Sequence, residues 1–417
     1  MKKGLIIKDA AQVVTVSGFE SKKGARMRDI GVIPGGSVVI EGETILSVGD
    51  FDTISRGLVL EDYHIIDARG KTVTPGFVDS HTHVIFGGYR ADEYNWRLRG
   101  DSYVQIMNRG GGIVKSVTQT REAAYEDLVA AGLKRLDSMM RFGVTTVEGK
   151  SGYGLDLETE VKQLRATKAL NDRHVLDVVP TFLGPHAIPR DFEGGEMAFI
   201  QYMTREVLPA VKEDNLAEFA DIFTEKGIFE LESSRIYLEA AKALGFKIKM
   251  HADEIYPLGG AELAAEFGAV SADHLLQVSD EGIRRMKEKG VVATLLPLTA
   301  FSLKADYARA RDMIDAGLAV ALATDFNPGS CFSESIPLLI ALSTLYMGMT
   351  PEETLTALTL NGAAALDRSH VIGSIDPGKQ GDILIHEFDS YEFIPYHFGV
   401  STVETVIKKG RVVYSKA

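Results

Sequence analysis

Two histidines, separated by a single residue, close a short apolar run: Pro75-Gly76-Phe77-Val78-Asp79-Ser80-His81-Thr82-His83. In an extended strand residues i and i+2 share a face, so both imidazoles aim into one space. Such a pair suits a metal ion, and a metal ion suits hydrolysis, because it lowers the pKa of water toward about 7 and polarises a carbonyl. Other polar residues end apolar runs further along: His186 after Leu183-Gly184-Pro185, His251 after Lys247-Ile248-Lys249-Met250, His274 after Ser271-Ala272-Asp273, and Asp325 after Val320-Ala321-Leu322-Ala323-Thr324. Three neutral imidazoles and a carboxylate make a site for zinc, or for iron in the same borderline range, with one ion per subunit. Asp325 at the edge of that sphere is placed to take a proton from water, and His274, if not a ligand, to stabilise an oxyanion. Each of these residues alone reads as a core or surface group; independent structural histidines have no reason to align on one rim. His64, His174, His370, His386 and His397 fall off it and read as structural.

The elements that must position these groups have a clear rhythm. From residue 75 to 366 short apolar runs alternate with helical patterns, the signature of βα units around a parallel sheet. Eight candidate strands end near His83, Val147, Thr181, Phe223, His251, His274, Leu296 and Asp325. Helices are expected at Glu122–Phe142, Gly259–Phe267 and Asp280–Lys289, each followed by glycine or stopped by it. Eight such units predict an α/β fold, a (β/α)8 TIM barrel, whose C-terminal rim carries function; a doubly wound open sheet is the alternative. Residues 1–74 and 367–417 differ: Gly36–Val48, His64–Val73, Gly381–Ile385 and Val406–Tyr414 read as short strands and hairpins. They predict one small β-sandwich domain assembled from both termini.

The 417 residues are 45% hydrophobic and 25% charged, an ordinary globular composition that permits a large core. A net charge of −13 argues against nucleic-acid binding, which needs a clustered basic surface. One cysteine, Cys331, excludes an intrachain disulfide and suits a reducing compartment. The apolar run after Met1-Lys2-Lys3 is too short for a signal peptide, and no stretch approaches the ~20 apolar residues of a membrane span; a cytoplasmic location without membrane contact is expected. The apolar helix at Ser335–Tyr346 suits either core or an interface, leaving a homodimer open.

With these residues in view, the chain resembles the metal-dependent amidohydrolase superfamily over essentially its whole length. Its motifs His81–Arg90, Gly110-Gly111-Gly112-Ile113, Glu148–Leu155, Phe182–His186, His251-Ala252-Asp253-Glu254 and Thr324–Ser330 are similar to those of members that open the imidazolone ring of a propionate-bearing substrate in histidine degradation. The resemblance implies that His81, His83, His251 and Asp325 hold the metal. It implies that Arg90, Tyr153, His186, Glu254, Asn327, Gly329 and Ser330 bind substrate or product, and that Asp325, His274 and Glu254 take part in catalysis. The chemistry agrees, since a guanidinium is the natural partner of a propionate, and Glu254 is placed to bond a ring N–H or shuttle a proton. Against each stands a plainer reading: a solvated Arg90, a helix-capping Tyr153, an exposed Glu254, an ordinary Pro-Gly turn at Asn327–Ser330. Arg109–Ile113 lacks the Lys-Ser/Thr of a phosphate loop and reads as a passive loop or a flap. Alternatives are a nucleobase deaminase, a binuclear cyclic amidase with a bridging lysine (Lys226 lies past the expected fourth strand), and a non-catalytic scaffold, which would have no need of the ligands present here.

Overall fold

A computed structural model describes residues 2–101, 105 and 109–416. Eight parallel strand positions form its centre: β1 (Phe77–Asp79), β2 (Val144–Lys150), β3 (Asp177–Phe182), β4 in two pieces (Phe219–Ala220 and Phe223–Thr224), β5 (Lys247–Ala252), β6 (Ser271–His274), β7 (Val292–Leu295) and β8 (Val320–Leu322). Neighbours in the sheet follow chain order from β1 to β8. The ring closes just beyond the strand ends, where Thr82 bridges Phe326, Asp325 N donates to His81 O (3.0 Å) and His83 N to Phe326 O (2.8 Å). Asp79 locks that seam from below by accepting from Thr324 N (2.9 Å) and Thr324 Oγ1 (2.6 Å). The architecture is a (β/α)8 barrel, and the open-sheet alternative is set aside.

The strands are buried on both faces because helices cover the outside and side chains fill the inside. Helix boundaries follow local chemistry. Asp280–Lys289 starts at Ser279, whose hydroxyl accepts from Gly282 N, and stops at Gly290 with φ 74°, as the sequence predicts. The helix expected at Glu122–Phe142 runs from Tyr125 to Arg141, and extended Ala123 and Ala124 separate it from a preceding helix, Ile113–Glu122. Two strands end before their polar residue. β1 stops at Asp79 and β8 at Leu322, and His81, His83 and Asp325 stand on the extensions that close the barrel.

The remaining strands form two further sheets. Gly4–Lys8, Ser37–Glu41, Thr44–Gly49 and Tyr63–Asp67 make one; Gln12–Val14, Val32–Pro34, Thr72–Pro75, Ile383–His386, Val403–Lys408 and Arg411–Ser415 make the other. The second mixes both termini, with Ile383–His386 antiparallel to Thr72–Pro75. Leu5, Ile7, Val38 and Ile40 of the first pack with Val13, Val73, Ile383 and Ile407 of the second in one buried cluster. Among the described residues no helix is long and apolar enough to cross a membrane.

Candidate metal centre

The C-terminal mouth of the barrel gathers the histidines. The rings of His81 and His83 lie 5.7 Å apart, those of His81 and His251 4.6 Å, and those of His251 and His274 5.1 Å. Asp325 Oδ1 is 3.5 Å from His81 Nε2 and 3.7 Å from His83 Nε2. Two ligands about 2.1 Å from one tetrahedral ion stand about 3.4 Å apart, so this spacing suits a shared cation. The ligand atoms of His81, His83 and His251 lie within 4.8 Å of one another, as do those of His81, His274 and Asp325. His81 Nε2, the nitrogen that faces Asp325, is buried with no hydrogen-bond partner, which native structures rarely tolerate unless something else fills the role. The donor set therefore fits a metal ion.

Carboxylates behind the rings fix which nitrogen faces inward, an arrangement that suits a metal site. Asp273 Oδ2 meets His81 Nδ1 at 2.6 Å. Asp221 Oδ1 accepts from the backbone N of His251 at 3.1 Å, and its Oδ2 lies 3.0 Å from Nδ1, without the alignment of a full hydrogen bond. Burial first, and then the neighbouring lysine and histidines, holds His81, His83 and His274 well below the usual imidazole range, so their rings are neutral. Burial pushes Asp325 up to about 6 and Glu254 to about 8. His274 (φ 76°) and Asp325 (φ 51°) both occupy the left-handed region, a strain that buried functional turns retain.

A cavity of about 210 Å³ opens onto this cluster. His83, Arg90, Tyr153, His186, His251, Glu254, His274, Asp325, Asn327 and Ser330 all line it. Arg90 enters from the residue before helix Ala91–Leu98, with Nε 3.4 Å from Pro328 O. Tyr153 and His186 stand against the His83 ring at 5.4 and 5.1 Å. His186 Nδ1 meets Gly152 O at 2.9 Å, and burial lowers its pKa to about 3. Glu254 Oε1 is 3.5 Å from His274 Nδ1.

Gly329 lies apart from this wall and lines a neighbouring apolar cavity, where it faces the Arg90 guanidinium. Asn327 uses its amide on its own turn: Oδ1 accepts from Gly329 N and Ser330 N (2.8 Å each), and Nδ2 donates to Asp325 O (2.7 Å) and to Ser330 Oγ (2.9 Å). Gly112 N, at the start of helix Ile113–Glu122, donates to Glu93 Oε1 at 2.9 Å, which accounts for one donor of the Gly110–Gly112 loop within the protein. Lys226 faces the Tyr256 ring, 5.3 Å from its centre.

Sequence reasoning gave no role to the groups beneath the imidazoles. Glu148 and Lys150 of β2, Asp221 between the pieces of β4, Lys249 of β5 and Asp273 of β6 are all buried. Charges at i, i+2 within apolar strands were the available signal, since that spacing puts both on the inner face. Glu160 was missed too; its Oε1 accepts from Gly154 N (2.8 Å) and Leu155 N (2.9 Å) and shapes the loop that presents Tyr153.

The sequence profile of the amidohydrolase family matches residues 72–413. The chain is 58% identical over 418 residues to the imidazolonepropionase of Clostridium tetani (strain Massachusetts / E88), covering 100% of both. It is 56% identical over 408 residues to that of Parabacteroides distasonis, covering 98% of each. Among solved structures it is similar to E. coli guanine deaminase (TM-score 0.74, 13% identity, 99% of each chain). It is also similar to an adenosine deaminase from Xanthomonas campestris with bound zinc (TM-score 0.71, 18% identity, 98% and 92% covered). At those identities the structural likeness speaks for the fold alone.

Proposed function

The chain belongs to the amidohydrolase family, and from that premise we propose that it opens the imidazolone ring of 4-imidazolone-5-propanoate by hydrolysis, giving N-formimidoyl-L-glutamate in histidine degradation. It is a hydrolase acting on a cyclic amide. The observation that carries the reading is one cavity lined by His83, His251 and Asp325 together with Arg90, with His81 clustered against His83, His251 and Asp325. A ring carbonyl and a propionate need that pairing.

His81, His83, His251 and Asp325 would hold one ion, zinc or iron, both of which accept imidazole and carboxylate. When bound, the ion supplies Lewis-acid polarisation of the carbonyl and a lowered pKa for water. The chain's own groups do the rest. Arg90 takes the propionate, and Tyr153 and His186 face the ring. Asp325, held by Thr299 Oγ1 at 2.6 Å, accepts a proton from the attacking water as the C–O bond forms. His274, a neutral imidazole, donates to the developing oxyanion. The ring C–N bond then breaks, and Glu254, protonated at neutral pH because burial raises it to about 8, gives its proton to the leaving nitrogen.

The test is product identification. Purified protein incubated with 4-imidazolone-5-propanoate should yield N-formimidoyl-L-glutamate by mass spectrometry. No product there, with ammonia released from guanine or adenosine instead, would move the assignment to a deaminase.

A further inference from the structure

Directly beneath the imidazoles, three buried carboxylates surround two buried ammonium groups. Lys150 Nζ lies 2.7 Å from Asp221 Oδ2, 3.1 Å from Glu148 and 3.6 Å from Asp273 Oδ2. Asp273 is the carboxylate on His81 Nδ1, and Asp221 is the one that holds the backbone of His251 and faces its ring. Lys249 is placed differently. Its Nζ reaches Ser80 O at 2.8 Å and Glu148 Oε2 at 3.0 Å, and comes no nearer than 3.8 Å to Asp273. Asp221 is not among its partners.

We infer that Lys150 is a positioning residue for the metal centre: one ammonium group spaces the two carboxylates that orient His81 and His251. The inference rests on the reading of those histidines as ligands. Lysine is almost never fully buried unless paired, and this one is paired three times over, with no water-facing role. Two like-charged carboxylates repel in a low-dielectric interior unless a cation stands between them. Without Lys150, Asp221 and Asp273 would separate, and the ring nitrogens they face would lose their orientation. Groups that orient ligands typically change metal affinity by roughly 10- to 100-fold when removed. The reach of Lys150 follows from β2: Glu148 and Lys150 share its inner face, and Lys150 ends the strand with its backbone N donating to Thr82 O at 3.0 Å, between His81 and His83.

The experiment measures Zn2+ affinity of the folded protein by competition with a chromogenic chelator, alongside the melting temperature of the chelated protein. Lys150→Met and Asp221→Asn should each weaken Zn2+ binding by roughly 10- to 100-fold. The double variant should be no weaker than the worse single one, because both act through one contact. Lys249→Met, which leaves Asp221 untouched, should weaken binding by less than about threefold while lowering the melting temperature. Wild-type affinity in Lys150→Met, an equal loss in Lys249→Met, or additive losses in the double variant would overturn the inference. If Lys150→Met does not fold, the double variant, which removes one cation and one anion together, is compared with Asp221→Asn alone. Equal affinity supports the inference, and a further tenfold loss overturns it. A wild-type protein that takes up no Zn2+ would instead sink the metal reading itself.

Discussion

The guanidinium of Arg90 occupies the space where a side chain on Gly329 would be. A β-carbon there would stand 1.0 Å from Arg90 Nη2 and 2.1 Å from Cζ. The two residues are far apart in the chain, on the loops after β1 and β8, and the missing side chain of one is the seat of the other. Gly329→Ala should therefore displace Arg90 and raise KM for the propionate substrate. A charged hydrogen bond contributes roughly 1.5–3 kcal/mol, so the rise should be about 10- to 100-fold. Bound metal, measured by elemental analysis, should stay at the wild-type level.

Asp325 carries two duties in the proposed reaction. Asp325→Asn keeps the shape and the Thr299 contact but cannot take a proton. Turnover should fall by roughly 10²- to 10⁴-fold, with substrate binding, followed by calorimetry on the metal-loaded variant, changed far less. Near-normal turnover would remove Asp325 from the role of base.

The pH profile follows from two buried carboxyls. Asp325 must be ionised to act as base; burial raises it to about 6 in the metal-free protein and a bound cation would lower it from there, so the acid limb of kcat/KM should lie below about 6. Glu254, raised to about 8, must be protonated to act as acid, so kcat/KM should fall above about 8. Glu254→Gln should lower the rate and abolish the alkaline limb while leaving the acid limb in place. A profile with an unchanged alkaline limb in that variant would assign the proton to another group.

The small domain offers a test of stability rather than activity. His386 is buried between Thr74 Oγ1 (3.0 Å) and Thr402 Oγ1 (2.9 Å), and burial lowers its pKa from 6.5 to about 3. The unfolded chain then binds the proton more readily, so stability is fully present above about pH 6.5 and is lost as pH falls toward 3. The loss is at most about 1.4 kcal/mol per pH unit for one group. Other buried histidines add their own slopes, so the difference between wild type and His386→Gln in urea unfolding isolates this one. The variant should show the shallower dependence on pH.

Much of this arrangement was legible in the sequence, and the reasons are physical. A barrel places the ends of its strands on one rim, so polar residues that terminate apolar runs must meet. The structure brings together His81, His83, His186, His251, His274 and Asp325 for that reason. Caps at Ser279 and Gly290 are local and were readable too. The buried lysines were not, because an isolated charge in a strand looks like a solvent-facing one until the opposite wall is known. Lys150 finds Asp221 and Asp273 only through the closed ring. The seat of Arg90 on Gly329 was equally hidden, since glycine in a Pro-Gly turn has an ordinary local explanation. Strand ends shifted by three or four residues at β1 and β8 because the closing hydrogen bonds replace regular pairing there.

The central claim is that one ion, held by His81, His83, His251 and Asp325, is required for ring opening. The direct test is to strip the purified protein with a chelator, add Zn2+ or Fe2+ in measured amounts, and follow loss of the imidazolone chromophore. Turnover should be absent in the stripped protein and rise linearly to a plateau at one equivalent per chain. Full turnover without metal, or a plateau reached only at two equivalents, would contradict it.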